Sequence, residues 1–215
     1  MDSPLSKSLN PNELQIMPEV LASRYFPRTL LVRMGVPGDG SCFFHSLCAV
    51  QNYKDYLHQP VRVQKEIGRQ RRCEFIEKLT LKKWNSFLKD SGLQRFVVPG
   101  LTQEQLHDKF CSSSVWADEP VIRYVMKNLH MNLVFLDETL NKLYCGVHED
   151  RSDQTAIILW QSRQHFEPIG RVNALDVDSD KVAVQMVFDH KKEPHVIRAL
   201  MGAYEAECRI TSGLV

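Results

Sequence analysis

Cysteine and histidine acting together can perform acyl transfer, and the stretch VPGDGSCFFHSLC at residues 36–48 presents a cysteine in a setting suited to it. Gly38 and Gly40 admit positive φ, and residues 42–51 contain neither Gly nor Pro, so the pattern predicts a tight turn entering a buried helix with Ser41 at its N-cap. A cysteine on a first helical turn faces unpaired N–H groups and the positive end of the helix dipole, which favour thiolate over thiol. The turn can also aim successive N–H groups, those of Gly40 and Ser41, at the point where an oxyanion would form.

A thiolate nucleophile needs a base that later protonates the leaving amine. Of the eight histidines, His165 best fits, because it stands at the entrance of the apolar stretch HFEPIG, far along the chain. Glu167, two residues on, would share its strand face and could orient the imidazole. His45 is the rival; Cys42, His45 and Cys48 at i, i+3, i+6 would spread along about 9 Å of helix, too far to grip one zinc, so a structural His45 and no metal site are expected. A phosphate loop is the other reading of the glycine turn, but GxxxxGK[ST] is absent.

The elements that must hold these residues apart in sequence and together in space follow from the rest of the chain. Its 215 residues suit a single core, and 43% hydrophobic with 25% charged residues is an ordinary globular balance. A net charge of +1 gives no pull toward nucleic acid or membrane, and no signal peptide or spanning segment is read, so an intracellular, cytoplasmic or nuclear, soluble monomer is expected. Six scattered cysteines without a CxxC pair predict reduced thiols.

Residues 1–17 read as a mobile lead-in with order beginning near Leu14. Pro60 opens an amphipathic helix to about Leu79, whose Arg62, Lys65, Arg69, Arg71 and Arg72 read first as a solvated face and second as a nucleic-acid surface. Shorter helices are expected around Leu81 to Leu88, from a Thr102/Gln105 capping box to Phe110, and from Pro120 to Leu129. NLVFLD, KLYCGV, TAIILW and HFEPIG read as strands of one sheet, the last an edge or terminal strand because Pro168 cannot donate to a central ladder. After an acidic linker at 175–180, a strand at 182–188 and a helix from Glu193 complete a C-terminal extension spanning 173–215.

Three blocks in order, PGDGSCFFHSL at 37–47, VWADEPVIRYV at 115–125 and HFEPIG at 165–170, resemble the ovarian tumour (OTU) family of cysteine proteases over residues 18–172. The resemblance implies an α/β (α+β) papain-like fold, a small, mostly antiparallel central sheet flanked by helices. It implies hydrolysis of isopeptide bonds at the C-terminus of ubiquitin or a ubiquitin-like modifier, alone or in polyubiquitin chains, without a cofactor. Carried over by position, Cys42 is the nucleophile, His165 the general base and acid, and Asp39 the acidic residue of the nucleophile turn. Trp116 with Glu119 is the block supporting the site from below. The chain departs from the family at Glu167, where many members carry Asn or Asp, and at Ala117, where many carry Gly. The alternative is a catalytically weak ubiquitin-binding module of the same fold.

Overall fold

A computed structural model describes residues 5–18, 30–138, 143–146, 154–161, 165–172, 184–189 and 191–192. Among the described residues, seven strands form one sheet: β1 (Leu14–Ile16), β2 (Leu30–Met34), β3 (Asn132–Asp137), β4 (Leu143–Gly146), β5 (Gln154–Gln161), β6 (His165–Val172) and β7 (Val187–Asp189). They run in the order β1-β2-β6-β5-β3-β4, with β7 pairing β5 off that path. Every described pairing is antiparallel except β3 with β5. The architecture is a mixed α+β fold, a largely antiparallel sheet with helices packed on it.

Among the described residues, five α-helices lie between β2 and β3: α1 (Cys42–Gln51), α2 (Val61–Glu74), α3 (Leu81–Asp90), α4 (Gln103–Cys111) and α5 (Glu119–Leu129). Residues 42–50 of α1 are all buried, as expected of a helix apolar on every side. Phe43 meets Phe166 of β6 edge to face at 5.6 Å, and the Ser46 hydroxyl donates to the Cys42 and Phe166 carbonyls. Sequence-local apolar spacing therefore ties the helix that begins with Cys42 to the strand that begins with His165.

The outer helices gather around aromatic contacts: Trp84 of α3 lies against Phe110 of α4 and Tyr124 of α5, both edge to face. Their starts are chemically defined. Thr80 and Asp118 accept from the N–H groups of Lys83 and Val121, and Thr102 and Gln105 make the reciprocal capping box the spacing predicts. Among the described helices, none is long and apolar enough to cross a membrane.

Several expectations need correction. The lead-in is built into the fold: β1 pairs β2, and Leu5 is buried. α2 stops at Glu74, short of Leu79. β6 is central, lying between β2 and β5, but β2 pairs only from Ile169 onward, so Pro168 faces a ladder partner only in β5. The tail strand belongs to the same sheet, with Met186 and Phe188 in the core. The linker at 175–180 and the helix expected from Glu193 lie outside the described residues. Cys73 of α2 and Cys111 of α4 are joined as a disulfide with Cα atoms 4.8 Å apart, against the expectation of reduced thiols. Nothing in a spacing of 38 residues signals that pairing.

Candidate active site

Cys42 opens α1 and His165 opens β6, and the packing of Phe43 and Ser46 on Phe166 brings these two starts together. Both side chains are nearly enclosed, Cys42 at 5% and His165 at 8% exposure. Burial alone would depress the imidazole, but hydrogen bonds and charge from Cys42 and from Glu167 overcome it and raise the His165 pKa to about 9. His165 Nε2 lies 3.5 Å from Glu167 Oε1, an ion-pair distance at which no well-formed hydrogen bond is made.

Glu167 is fully buried and anchored on both oxygens. Oε1 accepts from the Leu9 N–H at 2.8 Å and Oε2 pairs with Arg33 Nη1 at 3.0 Å. The extra methylene relative to Asn or Asp is thus accommodated by a carboxylate gripped from behind, with one edge toward the imidazole.

Asp39 does not reach His165. Its Oδ1 accepts from the Ser41 N–H at 3.1 Å and lies 2.9 Å from His45 Nε2, while Arg69 Nε stands 3.9 Å from Oδ2. Burial would raise its pKa, yet the His45 and Ser41 bonds and nearby charge hold it below the usual carboxylate value. The acidic residue of the turn is therefore a brace for the loop. Glu167, not Asp39, is the carboxylate that lies beside the imidazole.

The same bond corrects the expected pair of oxyanion donors. Ser41 N–H is committed to Asp39, whereas Gly40 N–H makes no hydrogen bond to the described residues. Gly40 has φ +82°, and a Cβ there would lie 1.8 Å from the Ser113 carbonyl oxygen, so the turn needs glycine on both counts. Ser41 occupies the N-cap position but caps nothing with its side chain; its hydroxyl accepts from Arg72 Nη1 at 3.2 Å.

Arg72 was grouped by sequence with a solvated basic face, and only part of that face exists. Arg62, Lys65 and Arg69 are exposed, whereas Arg72 is fully buried. Its guanidinium donates to the carbonyls of Gly40 at 3.2 Å, Val115 at 2.6 Å and Phe110, and stacks over Phe44 at 5.1 Å. Burial lowers its pKa to about 10, opposed by Asp39 and Cys42, so it remains a cation at neutral pH behind the nucleophile turn. The VWADEPVIRYV block reaches the site through the Val115 carbonyl rather than through Trp116, which is 40% exposed, or Glu119, which pairs with Arg95 and Arg123.

His45 is structural, as its setting suggested. It is fully buried, bonded through Nε2 to Asp39 and through Nδ1 to the Tyr56 hydroxyl at 3.1 Å. Cys48 is buried with its thiol pushed up to about 12, chiefly by desolvation. No cluster suited to a metal ion occurs among the described residues.

Arg33 and Arg72 are the residues that sequence reasoning missed. The available signal was an arginine inside an apolar run, LLVRM, and an Arg pair at 71–72 where only one can face solvent.

No protein-family model matches the chain, and no curated protein matches it. Among solved structures it is similar to an ovarian tumour (OTU) domain in complex with ubiquitin, at 16% identity over 91% of this chain and 93% of that one, with a TM-score of 0.45. It is similar to the Hazara virus OTU bound to ubiquitin, at 16% identity over 66% and 82% with a TM-score of 0.44. A third is an OTU deubiquitinase from Wolbachia pipientis wMel, at 20% identity over 65% and 87% with a TM-score of 0.38. Likeness at this level leaves function to be argued from the site.

Proposed function

We propose that this chain is a cysteine protease of the OTU type that hydrolyses the bond between the C-terminal glycine of ubiquitin, or of a ubiquitin-like modifier, and a lysine amine. One observation carries the reading: a cysteine on the first turn of a helix interacts with a buried histidine, itself backed by a buried, anchored carboxylate. Chance packing of a core Cys and His supplies no reason for that third, charged group.

In this mechanism the Cys42 thiolate, paired with the His165 imidazolium, attacks the scissile carbonyl carbon. The developing oxyanion faces the Gly40 N–H and the N-terminal end of α1. His165 gives its proton to the departing amine, leaving a thioester on Cys42. The neutral imidazole then takes a proton from water, which attacks the thioester and frees the modifier's carboxylate. Arg72 and Asp39 hold the turn that presents these groups, and neither exchanges a proton.

The substrate class rests on the three sequence blocks, whose conjunction resembles the OTU family. A ubiquitin-sized body also needs a docking face beyond the cleft. Residues 60–112 are our candidate for it, with Val97 and Val98 as its exposed apolar surface. Such a substrate makes the protein an intracellular enzyme.

The test is incubation with ubiquitin carrying a thiol-reactive C-terminal warhead, read as intact mass. An adduct on the unaltered protein and none on Cys42→Ala is the expected result. A folded, unaltered protein that forms no adduct overturns ubiquitin as the modifier and favours the binding-module reading.

A further inference from the structure

The carboxylate behind His165 is not held by its own strand alone. Arg33 of β2 is fully buried and lies against Glu167 from the side opposite the imidazole. Its guanidinium is in turn surrounded by the N-terminal segment: Nη1 donates to the Leu5 carbonyl at 3.4 Å, Nη2 to the Lys7 carbonyl at 3.0 Å, and Nε to Gln15 Oε1 at 2.7 Å. Gln161 of β5 closes the other end, donating to the Leu5 carbonyl at 2.6 Å and accepting from the Ser8 hydroxyl at 3.0 Å. Leu9 then donates its N–H to the same Glu167 oxygen that faces His165.

Residues 5–9 thus form a strap whose Leu5 and Lys7 carbonyls, Ser8 hydroxyl and Leu9 N–H bind Arg33, Gln161 and Glu167. Gly35 makes its path possible: a Cβ there would lie 2.0 Å from the Asn10 carbonyl oxygen and 2.8 Å from Leu9 Cβ. A buried ion pair placed only for stability is a poor choice, because an apolar pair of similar volume usually does as well or better. One that fixes the rotamer and charge of a carboxylate next to a catalytic histidine has a use.

We propose that Arg33, together with the N-terminal strap Leu5–Leu9, is a positioning device for the catalytic pair, holding the Glu167 side chain turned toward His165. This rests on the reading of Cys42 and His165 as that pair. The charged or titratable groups acting on His165 are Cys42 from α1 and Glu167 from β6; those facing Glu167 are His165 and, from β2, Arg33. Asp39 on the turn faces His45 and Arg69 instead. Removing Arg33 leaves Glu167 without its counter-charge, so the carboxylate loses its orientation and the imidazolium loses its support. The strap acts the same way more weakly, through one N–H and through its grip on Arg33.

The experiment is the pH dependence of Cys42 alkylation by iodoacetamide, which needs no modifier, across Arg33→Met, Gly35→Ala, Glu167→Gln and the Arg33→Met/Glu167→Gln double variant. Gly35→Ala alters no charged group and displaces the strap alone. The double variant leaves no buried charge unpaired, so it should fold where Arg33→Met does so poorly. We expect the alkaline edge of the profile to move toward acid by about a pH unit or more in Arg33→Met and by less in Gly35→Ala. The double variant should match Glu167→Gln alone, because a residue that acts through another adds nothing once that one is gone. Turnover of a cleavable ubiquitin conjugate should fall roughly ten- to hundredfold in kcat with KM little changed, less than loss of an orienting carboxylate itself can cost. A profile that stays in place in Arg33→Met and Gly35→Ala while thermal stability drops, or effects of Arg33→Met and Glu167→Gln that multiply, would overturn the proposal. An alkylation profile that shifts as expected in a protein that forms no ubiquitin adduct would sink the modifier assignment and leave this inference standing.

Discussion

Gly68 offers a substitution whose sign the helix and the site predict oppositely. It lies in the interior of α2, where alanine ordinarily stabilises a helix by about 1 kcal/mol relative to glycine. Here a Cβ would sit 2.1 Å from His45 Cε1 and 2.2 Å from its Nδ1. The imidazole cannot retreat freely, because it is fully buried and tied to Asp39 at 2.9 Å and to the Tyr56 hydroxyl at 3.1 Å. Displacing it strains or breaks both bonds, and each buried polar group left unpaired costs about 1–3 kcal/mol. The loss exceeds the helix gain, so Gly68→Ala should destabilise the fold by roughly 2–4 kcal/mol, a fall in melting temperature on the order of 10 °C for a chain of this size. Because His45 and Ser41 share Asp39 Oδ1, the nucleophile turn should loosen too, lowering kcat by roughly a hundredfold for a misplacement of about 1 Å. Thermal unfolding and alkylation of Cys42 read both effects. The decisive comparison is the same substitution in a His45→Ala background, where the obstruction is gone and Gly68→Ala should instead raise stability by about 1 kcal/mol. A Gly68→Ala protein at least as stable as the parent, with unaltered alkylation, would refute the argument.

Three further outcomes are expected. The His165 pKa is raised from 6.5 to about 9, so its contribution to stability is complete below pH 6.5 and is lost as pH rises through about 9. Denaturant titrations from pH 6 to 10 should show that loss in the parent and a much smaller one in Cys42→Ala, with catalysis declining over the same alkaline window. Gly40→Ala combines a φ of +82°, costing about 1–2 kcal/mol for an L-residue, with a collision at the Ser113 carbonyl; by moving an oxyanion donor it should cut kcat on the order of a hundredfold in a ubiquitin-cleavage assay. Thr102→Ala removes one half of a capping box far from Cys42 and should cost about 1 kcal/mol in thermal unfolding without altering the alkylation rate.

What sequence could reveal here was whatever depends on neighbours along the chain. The turn into α1, the capping box at Thr102, the burial of Trp84, Phe87 and Leu88, and the strands β3 to β6 all follow from periodicity and local chemistry over a few residues. β1 and β2 were not legible: β1 is three exposed residues long, and Arg33 interrupts the apolar run of β2. Pro168 was read correctly as a residue that limits a ladder, yet its strand is central because the neighbouring strand stops one residue short of it.

The site divides the same way. Cys42 at a helix start and His165 at a strand start were visible as types in suitable local settings, and the structure brings them together. Which carboxylate lies beside the imidazole was decided by packing, because Asp39 is closer to Cys42 in sequence but its Oδ1 is taken by Ser41 and His45 and its Oδ2 faces Arg69. Whether an arginine faces water or a carbonyl depends on what other segments bring to it: Arg72 meets the Gly40, Phe110 and Val115 carbonyls, and Arg33 meets Glu167 and the strap. A residue's type and its near neighbours thus determine what chemistry it can offer. Only the meeting of segments distant along the chain, Arg72 with Val115 as much as Leu9 with Glu167, decides which partner fixes its direction.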